Sequence, residues 1–375
     1  MRILDDAMPT RLDSWRSESI EFFESEYNLL LHKIELSSKI PSIGENALKL
    51  LDRYKTNLNE YCVPFLFKWS TIINDLAVKF KDYRHRSITA GEINRWLKQF
   101  SNDSERLLAL NLLTNVDFIR TEEIGVSFKK YYQRLAKVYQ DKIRVVLLGT
   151  QADSMAEMEK IFNDYCGIEG PPVVCSTLKI ALESIDKRSR YIFLFVDDIV
   201  GTGTQSSDVL REYLGLYHEL GYYKKDGLKY IHKKDRLGED EVVKLKRQKV
   251  IYVCCCAQED GYKNLPIFLK EKGFDYDMRP LTRKRPLKKC FDQAYVGRDG
   301  RPPFSDDLER EQTMRLCRDY GEALWKDRPL GYGNSQQLIV FTHNTPNNSL
   351  PILWKRGTVK GIQWKPLFPQ ARERE

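Results

Sequence analysis

The chain of 375 residues carries 61 Lys and Arg against 53 Asp and Glu, a net charge of +8, with 42% hydrophobic and 11% aromatic residues. That composition excludes a disordered or collagen-like chain and gives enough apolar material for two or three packed domains. No stretch approaches the ~20 uninterrupted apolar residues of a membrane helix, and MRILDDAMPTRLDSWRSE lacks the apolar core of a signal peptide; a cytoplasmic protein without a membrane partner is expected.

In chain order, residues 1–140 read as a helical region. ESIEFFESEYNLLLHKIEL and ENALKLLDRYKTNLNEY carry apolar residues at mixed three and four spacing. In SITAGEINRWLKQF, Thr89 and Glu92 form a capping-box signature, and Ile93, Trp96, Leu97 and Phe100 follow on one helix face. SERLLALNLLTNV, the extended DFI and TEEIGVSFKKYYQRLAKVYQ complete a segment, 85–140, that suits either a winged-helix-like module or a plain helical bundle.

From residue 141 the pattern changes. KIRVVLLG, PPVVCST, RYIFLFV, KVIYVCCCA and FDYDMRPL are apolar strands without polar alternation, separated by the amphipathic segments DSMAEMEKIFNDY, STLKIALESID, SSDVLREYLGLYHEL and GYKNLPIFLKEKG. Such strands belong to a parallel sheet covered on both faces. The expected fold is therefore α/β, a doubly wound, mostly parallel sheet over 141–375 with a C-terminal extension. YYKKDGLKYIHKKDRLGEDEVVKLKRQ is expected as a charged surface excursion, and Lys284 to Pro303 as a long irregular loop; the helix SDDLEREQTMRLCRDYGEALW and the strand QQLIVFTH follow. The basic segments 224–249 and 283–289 suit either a solvated face or a nucleic-acid contact. Eight cysteines without paired short spacing argue against zinc, no haem or flavin is expected, and Cys254, Cys255 and Cys256, alternating along one strand, cannot all meet one metal.

The chemistry gathers at FLFVDDIVGTGTQSSDVL. In doubly wound sheets ligands bind at the carboxyl ends of strands, where strand order reverses. Gly201 and Gly203 allow backbone N–H groups to approach an anion, the following helix N-terminus adds partial positive charge, and Thr202 and Thr204 add hydroxyls. Two carboxylates beside a phosphate cradle make sense if the ligand also presents hydroxyls or a divalent cation. A ribose 5-phosphate fits, its phosphate on Gly201, Thr202, Gly203, Thr204 and Gln205 and its 2- and 3-hydroxyls on Asp197 and Asp198. A second cluster, FTHNTPNNSLPILW, holds His343, a candidate acid or base, and Asn344, Asn347 and Asn348, whose amides match a nucleobase edge or build an Asn- and Pro-rich turn. Trp354 and Trp364 either pack or stack on a base.

VDDIV followed by Gly201 and Thr202-Gly203-Thr204-Gln205 resembles the signature of type I phosphoribosyltransferases. The resemblance implies that Asp197 and Asp198 face the ribose of phosphoribosyl pyrophosphate or a nucleotide with Mg²⁺, and that Gly149-Thr150 forms the pyrophosphate loop. Gln205 stands where that family carries a hydroxyl residue, Gly201 where base-salvage enzymes often carry Thr or Asp, and no long hood is evident between residues 150 and 190. With HNTPNNSLPILW and the closing IQWKPLF, the chain is similar to the divergent members of that family encoded in bacterial conflict and antiphage loci, some beside retron reverse transcriptases. That similarity implies a defence effector acting on an N-glycosidic bond, as a glycosyltransferase or nucleotide N-glycosidase, or else a non-catalytic nucleotide- or nucleic-acid-binding scaffold. A reverse transcriptase with its RNA–DNA product, or a winged-helix protein, would be its partner.

Overall fold

A computed structural model describes residues 63–148, 153–167, 174–186, 188–220 and 230–370. The two long helical segments expected before residue 62 and the Gly149-Thr150 loop fall outside the described residues. The chain divides into two compact units, one of Met1–Lys79 with Thr89–Asn94 and one of Phe80–Ile88 with Arg95–Glu375. In the first, α1 spans Val63–Lys79. The expected capping box forms at the start of α2 (Ala90–Leu97): Glu92 N–H donates to Thr89 Oγ1 at 3.2 Å and Thr89 N–H to Glu92 Oε2 at 2.9 Å. Each bond satisfies a donor that a helix start leaves orphaned.

The second unit is built on a five-stranded sheet whose strands are β2 (Ile143–Leu147), β3 (Val174–Cys175), β4 (Ile192–Val200), β5 (Lys249–Ala257) and β6 (Asp275–Pro280). Every neighbouring pair is parallel, and the order is β3-β2-β4-β5-β6. This is the doubly wound sheet that the unalternating apolar strands predict, since only burial on both faces tolerates such strands. From β2 the chain steps outward to β3, then returns to β4 and continues the other way. The carboxyl ends of β2 and β4 therefore flank the switch point, where such sheets open a crevice.

Helices cover both faces. On one side Leu178 and Ala181 of α6 (Leu178–Glu183), Val209 and Leu210 of α7 (Thr204–Tyr213) and Leu265 and Leu269 of α9 (Glu259–Glu271) join a core with Phe193, Phe195 and Tyr252. On the other, Ile124 and Phe128 of α4 (Thr121–Tyr139) and Met158 and Phe162 of α5 (Asp153–Cys166) pack with Val145, Leu194 and Val196. Phe193 and Phe195 are fully buried, each worth roughly 1.5–3 kcal/mol of transfer free energy. The three consecutive cysteines divide between the cores: Cys254 falls in the first, Cys255 and Cys256 in the second. All three are free thiols whose pKa burial pushes well above the usual thiol range.

Two segments differ from expectation. The charged excursion contains a helix, α8 (Glu239–Lys246), with three acids in its first turn and Lys244 and Lys246 in its last, the order the helix dipole favours. Leu245 anchors it in the first core, and Lys244 caps the carbonyls of Leu182 and Ile185. The late strand from QQLIVFTH, β7 (Ile339–Phe341), does not extend the main sheet. It pairs in parallel with β1 (Asp117–Ile119), Asp117 opposite Ile339 and Ile119 opposite Phe341; β1 is the short DFI piece that follows α3 (Asp103–Thr114). Lys284 to Pro303 is without helix or named strand, as its Gly and Pro content predicts. No helix among the described residues is long and apolar enough to cross a membrane.

Candidate functional site

β4 runs beyond the two acids to Val200, held there by β5 through Asp197–Cys254, Ile199–Cys256 and Val200–Ala257 partners. The acids thus sit inside the last turn of pairing instead of beyond it. Successive strand residues face opposite sides, and the two carboxylates find different surroundings.

Asp197 points inward. Its Oδ2 accepts a hydrogen bond from the Tyr252 hydroxyl at 2.6 Å and lies 3.5 Å from Ser206 Oγ, and the Tyr252 and Ser206 oxygens are 2.8 Å apart. Burial first, then the neighbouring charge of Asp198, raises its pKa well above the ordinary carboxylate value. Asp198 instead has Oδ1 on the backbone N–H of Ile199 at 2.7 Å and Oδ2 3.7 Å from His343 Nε2. The imidazole stacks on Phe341 with ring centres 5.2 Å apart and planes 13° off parallel. Its side chain is 5% exposed, and both ring nitrogens are buried without a hydrogen-bond partner. Such an orphaned pair costs free energy unless something completes it.

The raised pKa of Asp197 has a sign. The neutral acid is favoured by folding, so this stabilisation is complete below the unfolded value of about 3.9 and is lost as pH rises toward the folded value. Asp197→Asn keeps an acceptor for Tyr252 and removes the titration. The unfolding free energy of the variant is expected to fall less than that of the wild type between about pH 4 and pH 7, the difference in slope reaching at most ~1.4 kcal/mol per pH unit. Chemical denaturation across that range checks it; superimposable profiles would exclude a partly buried carboxyl that favours its neutral form.

The turn is held from three sides. Gly203 caps α7 in the left-handed region, φ 80°, where a glycine is the residue of choice. Thr202 Oγ1 and Thr204 Oγ1 are 2.9 Å apart, and Thr204 and Gln205 are exposed while Ser206 and Ser207 are buried. A Cβ on Gly201 would lie 2.3 Å from Asn348 Nδ2, and one on Gly333 would lie 2.5 Å from Thr202 Cγ2. Gly201 therefore has a packing reason: the Asn348 amide occupies the space that a larger residue would fill. Asn348 Nδ2 also donates to Ser335 Oγ at 3.4 Å, and Ser335 Oγ donates to the backbone carbonyl oxygen of Asn348 at 2.7 Å.

The FTHNTPNNSLPILW block thus meets the VDDIVGTGTQ turn at two points, His343 on Asp198 and Asn348 on Gly201. The other two asparagines differ. Asn347 is exposed and uses its carbonyl to accept from Tyr332 N–H at 2.9 Å, and Asn344 is half-buried in a tight turn with Phe341. Trp354 and Trp364 are packing residues, both buried, their indole N–H groups donating to the carbonyls of Ser349 and Ile352 at 2.9 and 3.1 Å. Gly149-Thr150 follows β2, which pairs with β4 as far as Leu147–Val196; the loop itself is outside the described residues. In the basic stretch 283–289, Arg283 is already committed, binding both oxygens of Asp117 at 2.6 Å and Glu123 Oε1 at 2.6 Å.

Among the described residues no cluster of three or more His, Cys, Asp or Glu side chains could hold a metal by itself. The donor set fits only a cation that draws most of its ligands from phosphate, hydroxyl and water oxygens, as Mg²⁺ does. Asp198 suits that role better, its Oδ2 facing only the His343 ring nitrogen at 3.7 Å, whereas Asp197 Oδ2 is engaged by Tyr252. Tyr252 and Ser206 escape sequence reasoning because their partner lies on another element. The one available signal is a tyrosine in an otherwise aliphatic and thiol strand, two residues before the register partner of Asp197.

A doubly wound parallel sheet with an acid pair and a glycine turn at its switch-point strand defines a phosphoribosyltransferase-like protein. A family model described as PRTase-CE matches residues 93–370, most of the chain, and the protein belongs to that family. No curated protein and no solved structure matches it.

Proposed function

We propose that the protein binds a ribose 5-phosphate group, as part of a nucleotide or of phosphoribosyl pyrophosphate, on residues 201–205 and breaks or exchanges an N-glycosidic bond beside Asp198 and His343. The observation that carries this reading is a strand-end carboxylate 3.7 Å from a buried imidazole whose two nitrogens have no hydrogen-bond partner. Asp198 can accept from a ribose hydroxyl, a bond that strengthens as positive charge develops on the ring. His343 can give a proton to the departing base or take one from the incoming nucleophile. In hydrolysis the C1–N pair of electrons leaves with the base, which gains a proton, and water adds to C1 and loses one. Mg²⁺, when bound, would neutralise phosphate charge, with Asp198 as its protein ligand.

The resemblance of the two motifs to proteins of conflict loci supports an effector role in antiphage defence, with a retron reverse transcriptase, its RNA–DNA product or a winged-helix protein as partner. One observation favours a second reading, nucleotide binding without turnover: Asp197 is tied to Tyr252 and Ser206, leaving a single aspartate for the ligand. Calorimetric titration of nucleotides and phosphoribosyl pyrophosphate with Mg²⁺, paired with product analysis, separates the two. Turnover supports the enzyme, saturable binding without turnover supports the regulatory module, and the absence of binding by the protein alone and with its locus partners defeats both.

A further inference from the structure

The turn at 201–205 offers a phosphate backbone donors and hydroxyls, but no cationic side chain. Arg211, about two helix turns along α7, is spent on Asp208 at 2.9 Å and Glu219 at 3.1 Å. A different arginine is held ready nearby. Arg328 lies in the loop that follows α10 (Asp307–Leu324), its N–H donating to Trp325 O at 2.8 Å and its carbonyl accepting from Gly331 N–H at 3.0 Å. Its guanidinium carbon sits 5.2 Å from the centre of the Trp325 ring and 4.2 Å from that of Tyr332. Among the described residues it has no carboxylate partner.

Both rings are fixed. Trp325 meets the buried Trp354 edge-on at 5.4 Å. Tyr332 stands between two glycines that touch the site: Gly333 against Thr202, as described, and Gly331, whose Cβ would lie 2.6 Å from the Asn348 carbonyl oxygen. The ring that carries Arg328 therefore belongs to the loop that closes over the phosphate turn. Stacking uses the faces of a guanidinium and leaves its edge donors free for an oxyanion.

We propose that Arg328 is the cation that binds the phosphate of a ligand seated on residues 201–205. This rests on the ribose 5-phosphate reading of that turn. A phosphate monoester carries a charge of about −1.5 to −2 at neutral pH, and the helix terminus supplies only about half a unit of positive charge. Arg328 makes up the difference, and its aromatic holders spare the side chain much of the entropy that binding would otherwise cost.

The test is calorimetric titration of the full chain with ribose 5-phosphate and with phosphoribosyl pyrophosphate at several salt concentrations. Arg328→Gln is expected to weaken ribose 5-phosphate binding by roughly 10- to 100-fold, the scale of a charge-assisted hydrogen bond, and to flatten its salt dependence. Arg328→Lys, which keeps the charge but not the planar stack, is expected to restore part of the affinity. A role confined to stapling Trp325 to Tyr332 would instead penalise Lys and Gln alike and lower the denaturation midpoint of both. That pattern, or unchanged affinity in Arg328→Gln, overturns the assignment while leaving the turn as the binding site. Failure of the wild-type chain to bind either probe overturns the reading of the turn and the assignment together.

Discussion

Asp198→Asn is expected to lower turnover of a nucleotide or of phosphoribosyl pyrophosphate by roughly 10²- to 10⁴-fold, the usual scale for a positioned acid, base or charge at a reacting centre, while the fold survives. The amide keeps an oxygen for the Ile199 N–H and the shape of the side chain, so the strand end has no reason to rearrange. What it loses is the charge that faces His343 at 3.7 Å and the acceptor capacity toward a ribose hydroxyl. Asp197→Asn should cost much less activity, because that carboxyl is engaged by Tyr252 and its neutral form is the favoured one. Product analysis on both variants, with denaturation midpoints alongside, checks the ordering. Equal losses, or an active Asp198→Asn, would contradict the separate roles given to the two acids.

Gly261→Ala is expected to destabilise the protein by about 3 kcal/mol or more, the upper end of what overpacking costs. The new Cβ would fall 2.2 Å from the Gly201 carbonyl oxygen and 2.9 Å from that of Val200, with Val200 Cγ1 at 2.8 Å. Backbone meets backbone there, so no side chain can swing aside, and α9 must retreat from the end of β4. Better helix propensity returns only about 1 kcal/mol. On the proposed function ligand binding should weaken as well, since the displaced carbonyl belongs to the glycine turn. Gly201→Ala makes the useful contrast: its Cβ meets the tip of Asn348, a side chain that can rotate, so the stability cost should be smaller. Denaturant unfolding of the two variants measures both. A Gly261→Ala protein within 0.5 kcal/mol of wild type would rule out the close approach.

The sheet was legible because its signals are local. The central strands RYIFLFV and KVIYVCCCA declare themselves by nearly unbroken apolar runs, and most of the covering helices by their own periodicity, though the short helix Glu239–Lys246 hides in a charged stretch. The glycine turn is likewise contiguous. What stayed hidden depends on partners far away in the chain. Nothing within QQLIVFTH says that its strand pairs with DFI instead of joining the main sheet. Asp197 and Asp198 look equivalent as letters, and only strand alternation together with Tyr252 on one side and His343 on the other separates them. Gly201 looks like a lost catalytic residue until Asn348 is seen in the space beside it. Arg328 carries no motif, because its two aromatic neighbours matter for where the loop places them.

The pairing of β1 with β7 also sets a timetable. During synthesis, every strand of the five-stranded sheet, through Pro280, is made before Ile339 begins β7, and domains tend to fold as their segments emerge. The glycine turn can therefore take shape on the nascent chain while His343, Asn348 and Arg328 are still to come. Docking β7 on β1 closes a very long loop, the kind of contact that forms late. A half-made chain would hold the glycine turn without the imidazole or the arginine, so on the proposed function ligand capture and chemistry would wait until the last segment is in place.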